Sequence, residues 1–269
     1  MNDWNVIILG LVQGLTEFLP VSSSGHLILA PALLGFQDQG LAMDAMLHLG
    51  TLLSIIIFFR KDLWGLFLGL LPGPKGEKNR VLAWSIIAAS FPAGILGLAA
   101  DDWIEANLRS PMFVACSLFA WSIVFWVIDK RGKLQEGTPD VHRLTPKQVF
   151  FIGCAQALAL FPGTSRSGVT LAAGLLTQLN HQAAARFSFL LGAPIITAAG
   201  SLKTFEFFFK SESTEFLFSS YQLFLGFAVS FVVGYLAIHL LLKVVARVGL
   251  TPFIYYRILL AGFIGFYFW

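Results

Sequence analysis

One stretch, residues 13–27, reads Gln-Gly-Leu-Thr-Glu-Phe-Leu-Pro-Val-Ser-Ser-Ser-Gly-His-Leu. It sets a carboxylate (Glu17), three hydroxyls (Ser22, Ser23, Ser24) and an imidazole (His26) inside otherwise apolar sequence. A hydroxyl, a carboxylate and an imidazole are the groups that proton transfer and nucleophilic displacement require. A second stretch, residues 162–170, reads Pro-Gly-Thr-Ser-Arg-Ser-Gly-Val-Thr and carries Arg166. Its guanidinium is a planar donor suited to phosphate oxygens. Ionisable groups in membrane segments mark functional sites, because an unpaired charge in hydrocarbon is costly.

These groups need elements that bring them together. Pro20 and Gly25 bracket the first hydroxyls, so one helix should end there and another begin. A broken helix at membrane depth is tolerated only where it is buried in protein or lines a wet cavity. The two breaks are related: Gln13 to Gly25 and Gln156 to Gly168 have the same separation. Between them lie Phe-Leu-Pro-Val-Ser-Ser-Ser-Gly and Phe-Pro-Gly-Thr-Ser-Arg-Ser-Gly, and further on Leu49-Gly50 lines up with Leu191-Gly192. Matched interruptions in two halves point to a midplane site between structural repeats. The alternative, coincidence between two Ser/Pro/Gly loops, does not account for the preserved spacing. Both second half-helices begin at Ser/Gly-rich turns, which present free N–H groups and the positive dipole end. Such termini bind phosphate, and an inverted repeat would make Glu17, His26 and Arg166 converge there.

The composition supports the membrane reading. The chain has 269 residues, 57% hydrophobic and 12% charged, with mean hydropathy +0.75. Soluble domains carry about 25% charged residues. Apolar spans are expected at about 44–59, 81–100, 111–128, 181–202, 221–242 and 251–269, with broken segments at 4–34 and 148–179. Residues 62–80, 101–110, 129–147 and 203–220 read as loops, with Pro92 a kink. The expected fold is therefore an all-α polytopic membrane protein: an inverted-topology repeat with about six transmembrane helices plus two re-entrant helical hairpins. It forms a single domain over 1–269, with repeat 1 at about 1–128 and repeat 2 at about 148–269. The basic residues cluster in the loops around 60–80, 129–147 and 243–251, while those around 101–110 and 203–220 carry only Arg109, Lys203 and Lys210 beside six of the fifteen acids. The positive-inside rule places the first set in the cytoplasm. The first hairpin then enters from outside and the second from inside, and the aromatic C-terminus (Phe266, Tyr267, Phe268, Trp269) anchors in the outer interface. Asp3 in place of a basic n-region reads as mature sequence and not a signal peptide. Cys116 and Cys154 read as small core residues without a disulfide.

Each site group also has a plainer reading. Ser22 and Ser24 suit helix N-caps as well as phosphate contacts. Glu17 and Arg166 could be a structural ion pair, and His26 a structural histidine. Arg257 is either a phosphate ligand or a structural cation. Asp44 and Arg186, at related positions, could stabilise span ends, and His48 reads as structural. No Cys/His cluster with zinc spacing occurs. Runs such as Ala88-Ala89 and Ala172-Ala173-Gly174 suit helix packing within one chain or in a homodimer.

The motifs Gln13-Gly-Leu-Thr-Glu17-Phe-Leu-Pro-Val-Ser-Ser-Ser-Gly-His26 and Pro162-Gly-Thr-Ser-Arg166-Ser-Gly-Val-Thr170 resemble the two signatures of the bacterial undecaprenyl-diphosphate phosphatases, the bacitracin-resistance family. The resemblance covers nearly the whole chain, including Tyr256-Arg257. That family accepts Glu or Gln at the opening position, where this chain has Gln13, leaving Glu17 the only motif carboxylate. The resemblance implies hydrolysis of undecaprenyl diphosphate, the peptidoglycan lipid carrier, in the bacterial plasma membrane. It also implies a divalent cation, Mg²⁺ or Ca²⁺, a site opening to the outer, periplasmic face, and no nucleic-acid partner. By carry-over, Glu17, Ser23, His26 and Arg166 form the catalytic group, with Glu17 the metal ligand. Gln13, Ser22, Ser24, Gly25, Gly163, Ser165, Ser167, Thr170 and Arg257 would bind the diphosphate. The nucleophile is left open between Ser23, His26 and water. Type 2 phosphatidic acid phosphatases share Ser-Gly-His and Ser-Arg elements, but their second His is missing after Arg166. A polyprenyl-phosphate transporter or flippase is the rival from another class, since inverted broken helices also suit transport.

Overall fold

A computed structural model describes residues 2–134, 137–209 and 218–269. Among them the chain is helical, and no strand forms beyond an isolated bridge between Thr138 and Leu179. The helices are α1 (Asp3–Thr16), α2 (Ser23–Leu34), α3 (Gly40–Phe58), α4 (Arg60–Leu70), α5 (Glu77–Leu108) and α6 (Pro111–Leu134). They continue with α7 (Pro146–Ala157), α8 (Arg166–Leu176), α9 (His181–Phe209), α10 (Ser220–Val248) and α11 (Thr251–Phe268). Five of them, α5, α6, α9, α10 and α11, are long and apolar enough to cross a bilayer, and α3 with α4 supplies a sixth candidate by length and composition. The protein is an all-α, multi-pass membrane protein. The short pairs α1/α2 and α7/α8 sit at the two broken segments.

Packing is reciprocal between the halves. Helix α1 packs on α10, and α7 packs on α5; α3 meets α9, and α6 meets α11. Small residues at corresponding positions permit the first two approaches. A Cβ on Gly10 would lie 2.8 Å from the Val229 side chain, and one on Gly153 would strike the backbone of Ala89. Membrane helices gain contact this way because lipid supplies no hydrophobic drive between them. The main core runs through Phe18, Phe59, Phe125, Phe187 and Phe189. Helix α8 is enclosed on nearly every side, from Ser167 to Leu175.

Several span ends differ from the sequence expectation. Residues 62–80 do not form a simple loop: α4 starts at Arg60 and turns 85° from α3. After Asp62 the chain reads Leu-Trp-Gly-Leu-Phe-Leu-Gly-Leu with no proline before Pro72, so nothing stops the helix. Trp64 and Phe67 stack on its exposed side, 5.4 Å between ring centroids. The acidic residues 101–105 are not a loop either, because α5 passes through Pro92 and continues to Leu108. Helix α6 likewise extends to Leu134, past the expected end. The expected loop at 203–220 begins inside α9, and residues 210–217 lie outside the described ones. Cys116 and Cys154 are free and exposed, not core residues. Ala172, Ala173 and Gly174 are buried within the chain, Gly174 against Ala184, so this run serves internal packing.

Candidate active site

The two breaks fold into near-identical turns. Ser22 (φ 76°, ψ 95°) and Ser165 (φ 79°, ψ 108°) both take a positive φ that non-glycine residues rarely adopt. Each is the N-cap of the helix that follows: Ser22 Oγ accepts from Gly25 N at 3.3 Å, and Ser165 Oγ from Gly168 N at 3.2 Å. In each turn the cap hydroxyl meets the serine two residues on, Ser24 at 3.4 Å and Ser167 at 3.2 Å. The turns also bond each other directly. Gly163 N donates to Ser22 Oγ at 3.1 Å, and Ser167 Oγ donates to the Leu19 carbonyl at 3.0 Å. Two helix N-termini are thus held side by side, with the N–H groups of their first turns outside the intrahelical pattern.

Arg257 from α11 ties the turns from beneath. It is fully buried. Its Nη1 donates to Pro20 O (3.3 Å) in the first turn and Thr164 O (3.4 Å) in the second. Nη2 donates to Gly163 O (2.9 Å) and Leu118 O (3.3 Å), and Nε to Ser122 Oγ (3.2 Å). All five N–H groups of a guanidinium are thereby engaged. Of the two readings of Arg257, these contacts are those of a structural cation: it binds carbonyls of the frame.

The open groups converge on Glu17, at the end of α1. Arg166 Nη2 donates to Glu17 Oε1 at 2.7 Å, and Ser23 Oγ donates to Glu17 Oε2 at 2.6 Å. Gln13 Nε2 adds a donor to Oε2 at 3.2 Å. Arg166 is steadied by its Nη1, which donates to Ser188 O at 3.3 Å. A buried ion pair is stable only when its remaining lone pairs and protons are also satisfied, and here most are. His48 Nε2 stands 4.0 Å from Glu17 Oε2. His26 is set apart from this cluster. Its Nδ1 lies 2.7 Å from Ser22 O and its Nε2 2.7 Å from the Tyr256 hydroxyl. A cavity of about 270 Å³ adjoins both turns, lined in part by Ser24, Pro162, Asp44, His48 and Arg109.

The sequence profile described as Bacitracin resistance protein BacA matches residues 6–263. The chain belongs to the BacA bacitracin-resistance family. It is 44% identical over 266 residues to "Undecaprenyl-diphosphatase 2" of Stutzerimonas stutzeri (strain A1501), covering 97% of both chains. It is 42% identical over 266 residues to "Undecaprenyl-diphosphatase" of Hahella chejuensis (strain KCTC 2396), again with 97% of each covered. A relative of the same name from Alteromonas mediterranea is 41% identical over 265 residues.

Within this BacA chain the expected ligands fall into two groups. Ser23, Ser24, His26 and Arg166 keep some exposure, whereas Gln13, Ser22, Gly25, Ser165, Ser167 and Thr170 are buried. Gly163 (φ 89°) presses on α6, where a Cβ would meet Ser117 at 2.7 Å. Thr170 Oγ1 bonds Arg166 O at 2.7 Å and Ser188 Oγ at 2.6 Å. The hydroxyls of Ser22, Ser165, Ser167 and Thr170 thus join turns and helices. For a divalent cation the described residues offer no group of three or more His, Cys, Asp or Glu. They do offer the Glu17 carboxylate beside Gln13, whose Oε1 is buried without a hydrogen-bond partner. One carboxylate with neutral oxygens fits an ion of the Mg²⁺ kind, which completes its shell with phosphate and water. Ser188, on Arg166, had no signal in the sequence; Tyr256, on His26, was marked only by the family resemblance, and Gly192, on which a Cβ would strike the Arg166 guanidinium, only by its alignment with Gly50.

Proposed function

We infer that this protein hydrolyses undecaprenyl diphosphate to undecaprenyl phosphate and phosphate, the activity in the names of its relatives. One observation carries the chemistry: a single carboxylate holds a hydroxyl on one oxygen and a guanidinium on the other. Phosphoryl transfer asks for charge neutralisation and positioning more than for covalent work by the protein. Arg166 and the paired helix N-termini neutralise the phosphate oxygens. Ser23 Oγ attacks the terminal phosphorus while Glu17 Oε2 takes its proton, and the bond from phosphorus to the bridging oxygen breaks. Undecaprenyl phosphate departs. Water then attacks the phosphoseryl group; His26 takes the water proton, Ser23 Oγ regains the proton from Glu17, and phosphate is freed. A divalent cation, Mg²⁺ or Ca²⁺, would be held by Glu17 with Gln13 Oε1, and supplies further charge neutralisation at the phosphate.

The cavity beside the turns is lined by Asp44, near the start of α3, and Arg109, just after α5. Those ends lie away from the basic residues Arg60, Lys61 and Arg80. With the basic loops cytoplasmic, the site opens to the outer face of the plasma membrane, between two inverted halves at about 1–128 and 148–269. Every proposed group comes from one chain. The test is phosphate release from undecaprenyl diphosphate by purified protein in detergent. We expect loss on chelation with recovery on adding Mg²⁺ or Ca²⁺, and loss in Glu17→Ala, Arg166→Ala and Ser23→Ala. Near-wild-type turnover by Ser23→Ala would end the serine-nucleophile step, and lipid transport without phosphate release would replace the enzyme reading altogether.

A further inference from the structure

We propose that Tyr256 holds the His26 ring in place and passes to its Nε2 the proton that this histidine takes during turnover. This rests on the reading of His26 as a proton carrier. The tautomer follows from the contacts. A carbonyl only accepts, so His26 Nδ1, 2.7 Å from Ser22 O, carries the hydrogen and donates it. Neutral His26 therefore bears its lone pair on Nε2, the atom 2.7 Å from the Tyr256 hydroxyl. The phenol donates to it in the resting state. When Nε2 is protonated the same pair reverses, and Nε2–H donates to the phenol oxygen. In that reversal the phenol passes its own hydrogen to Nε2 and takes the water's in exchange, because Nε2 has one lone pair and the phenol occupies it; the imidazolium proton is afterwards released with the departing phosphate. The rings are also stacked, with centroids 5.7 Å apart and planes 10° from parallel, so imidazole rotation is restrained from one face as well as at both nitrogens.

The location strengthens the point. Tyr256 immediately precedes Arg257, which binds carbonyls of both turns. One turn of α11 thus fixes the frame of the site and the orientation of its imidazole. His26 has no carboxylate behind it: Glu17 is engaged by Ser23 and Arg166. The Ser22 carbonyl on Nδ1 takes the place of the acidic orienting partner in a hydrolase triad, and Tyr256 stands on the nitrogen that reacts.

The experiment compares Tyr256→Phe, His26→Ala and the double variant by phosphate release, with thermal unfolding as a check on folding. Tyr256→Phe keeps the ring stack and removes only the hydroxyl. We expect its kcat to fall about 10–100-fold, the range of losses for groups that orient a reacting ligand, at unchanged KM. His26→Ala should fall further, and adding Tyr256→Phe to it should change nothing more. Wild-type kcat in Tyr256→Phe alongside a crippled His26→Ala would overturn the proposal while leaving the histidine's role intact. Independent, multiplying losses in the double variant would overturn it too. Full activity in His26→Ala would instead remove the reading on which it rests.

Discussion

Gly192 offers a test of the site that touches none of its functional groups. It lies on α9 against the Arg166 guanidinium. A methyl placed there would sit 2.6 Å from Cζ and 3.1 Å from Nη2, and nearer still to Nη1. Comfortable contact between such atoms is about 3.5 Å or more, so in Gly192→Ala the guanidinium must retreat by roughly 1–1.5 Å. That retreat removes the 2.7 Å bond from Nη2 to Glu17 Oε1, or the 3.3 Å bond from Nη1 to Ser188 O, or both. A displacement of about 1 Å in a catalytic group costs on the order of 100-fold in rate. We therefore expect Gly192→Ala to lose about two orders of magnitude in kcat/KM while still folding, because the charge pair is stretched and not abolished. The assay is phosphate release from undecaprenyl diphosphate, with unfolding temperature measured on the same samples. Gly94→Ala is the matched control, since a Cβ there meets only Ile195, at 4.0 Å. Near-wild-type turnover in Gly192→Ala would refute the reasoning: Arg166 would then have no need of its observed place.

The frame makes its own predictions. Arg257→Met should strip donors from Pro20, Leu118, Gly163 and Thr164 at once; at about 1–3 kcal/mol per orphaned buried group, thermal unfolding in detergent should shift well below wild type. Arg257→Lys should not restore it, because three donors on a point charge cannot span five acceptors. Among the twin caps, Ser165→Ala should cost about 1 kcal/mol. Ser22→Ala should cost more, since its hydroxyl also accepts from Gly163 N across the turns. Equal losses in denaturant unfolding would count against that cross-bond.

The sequence was most legible where spacing is preserved. Gln13 to Gly25 and Gln156 to Gly168 span the same number of residues, and both stretches reach a positive φ at the matched serine, Ser22 and Ser165. Glu17 and Arg166 were legible for a related reason: a charge in an apolar segment needs a partner, and each is the other's. Span ends were less legible. Charged residues such as Asp62 and Asp101 mark where a helix meets polar surroundings, not where its backbone hydrogen bonding stops. Arg257 was ambiguous because a lone cation in a span suits a ligand and a carbonyl clamp equally, and only its five acceptors decide. Tyr256 was legible only through the family resemblance, with no role attached. Its partner His26 is 230 residues away along the chain, and no periodicity encodes that pairing.

The twin turns also explain why one half alone would be a poor site. Ser23 and Arg166 occupy the same step, directly after the positive-φ serine, yet carry opposite chemistry. The position aims a side chain at the space between the turns, and the two halves fill it with a hydroxyl and a cation. Glu17 has no counterpart, for Leu160 stands at the matching place in the second half. A second carboxylate there would face the first across a buried gap and repel the diphosphate that the helix N-termini attract. With a single carboxylate shared between the hydroxyl and the guanidinium, the resting site is charge-balanced. An arriving phosphate can take over the guanidinium and leave Glu17 Oε2 facing Ser23 Oγ as its base. The duplicated frame supplies position and helix dipoles twice; the differences between its halves supply the reaction.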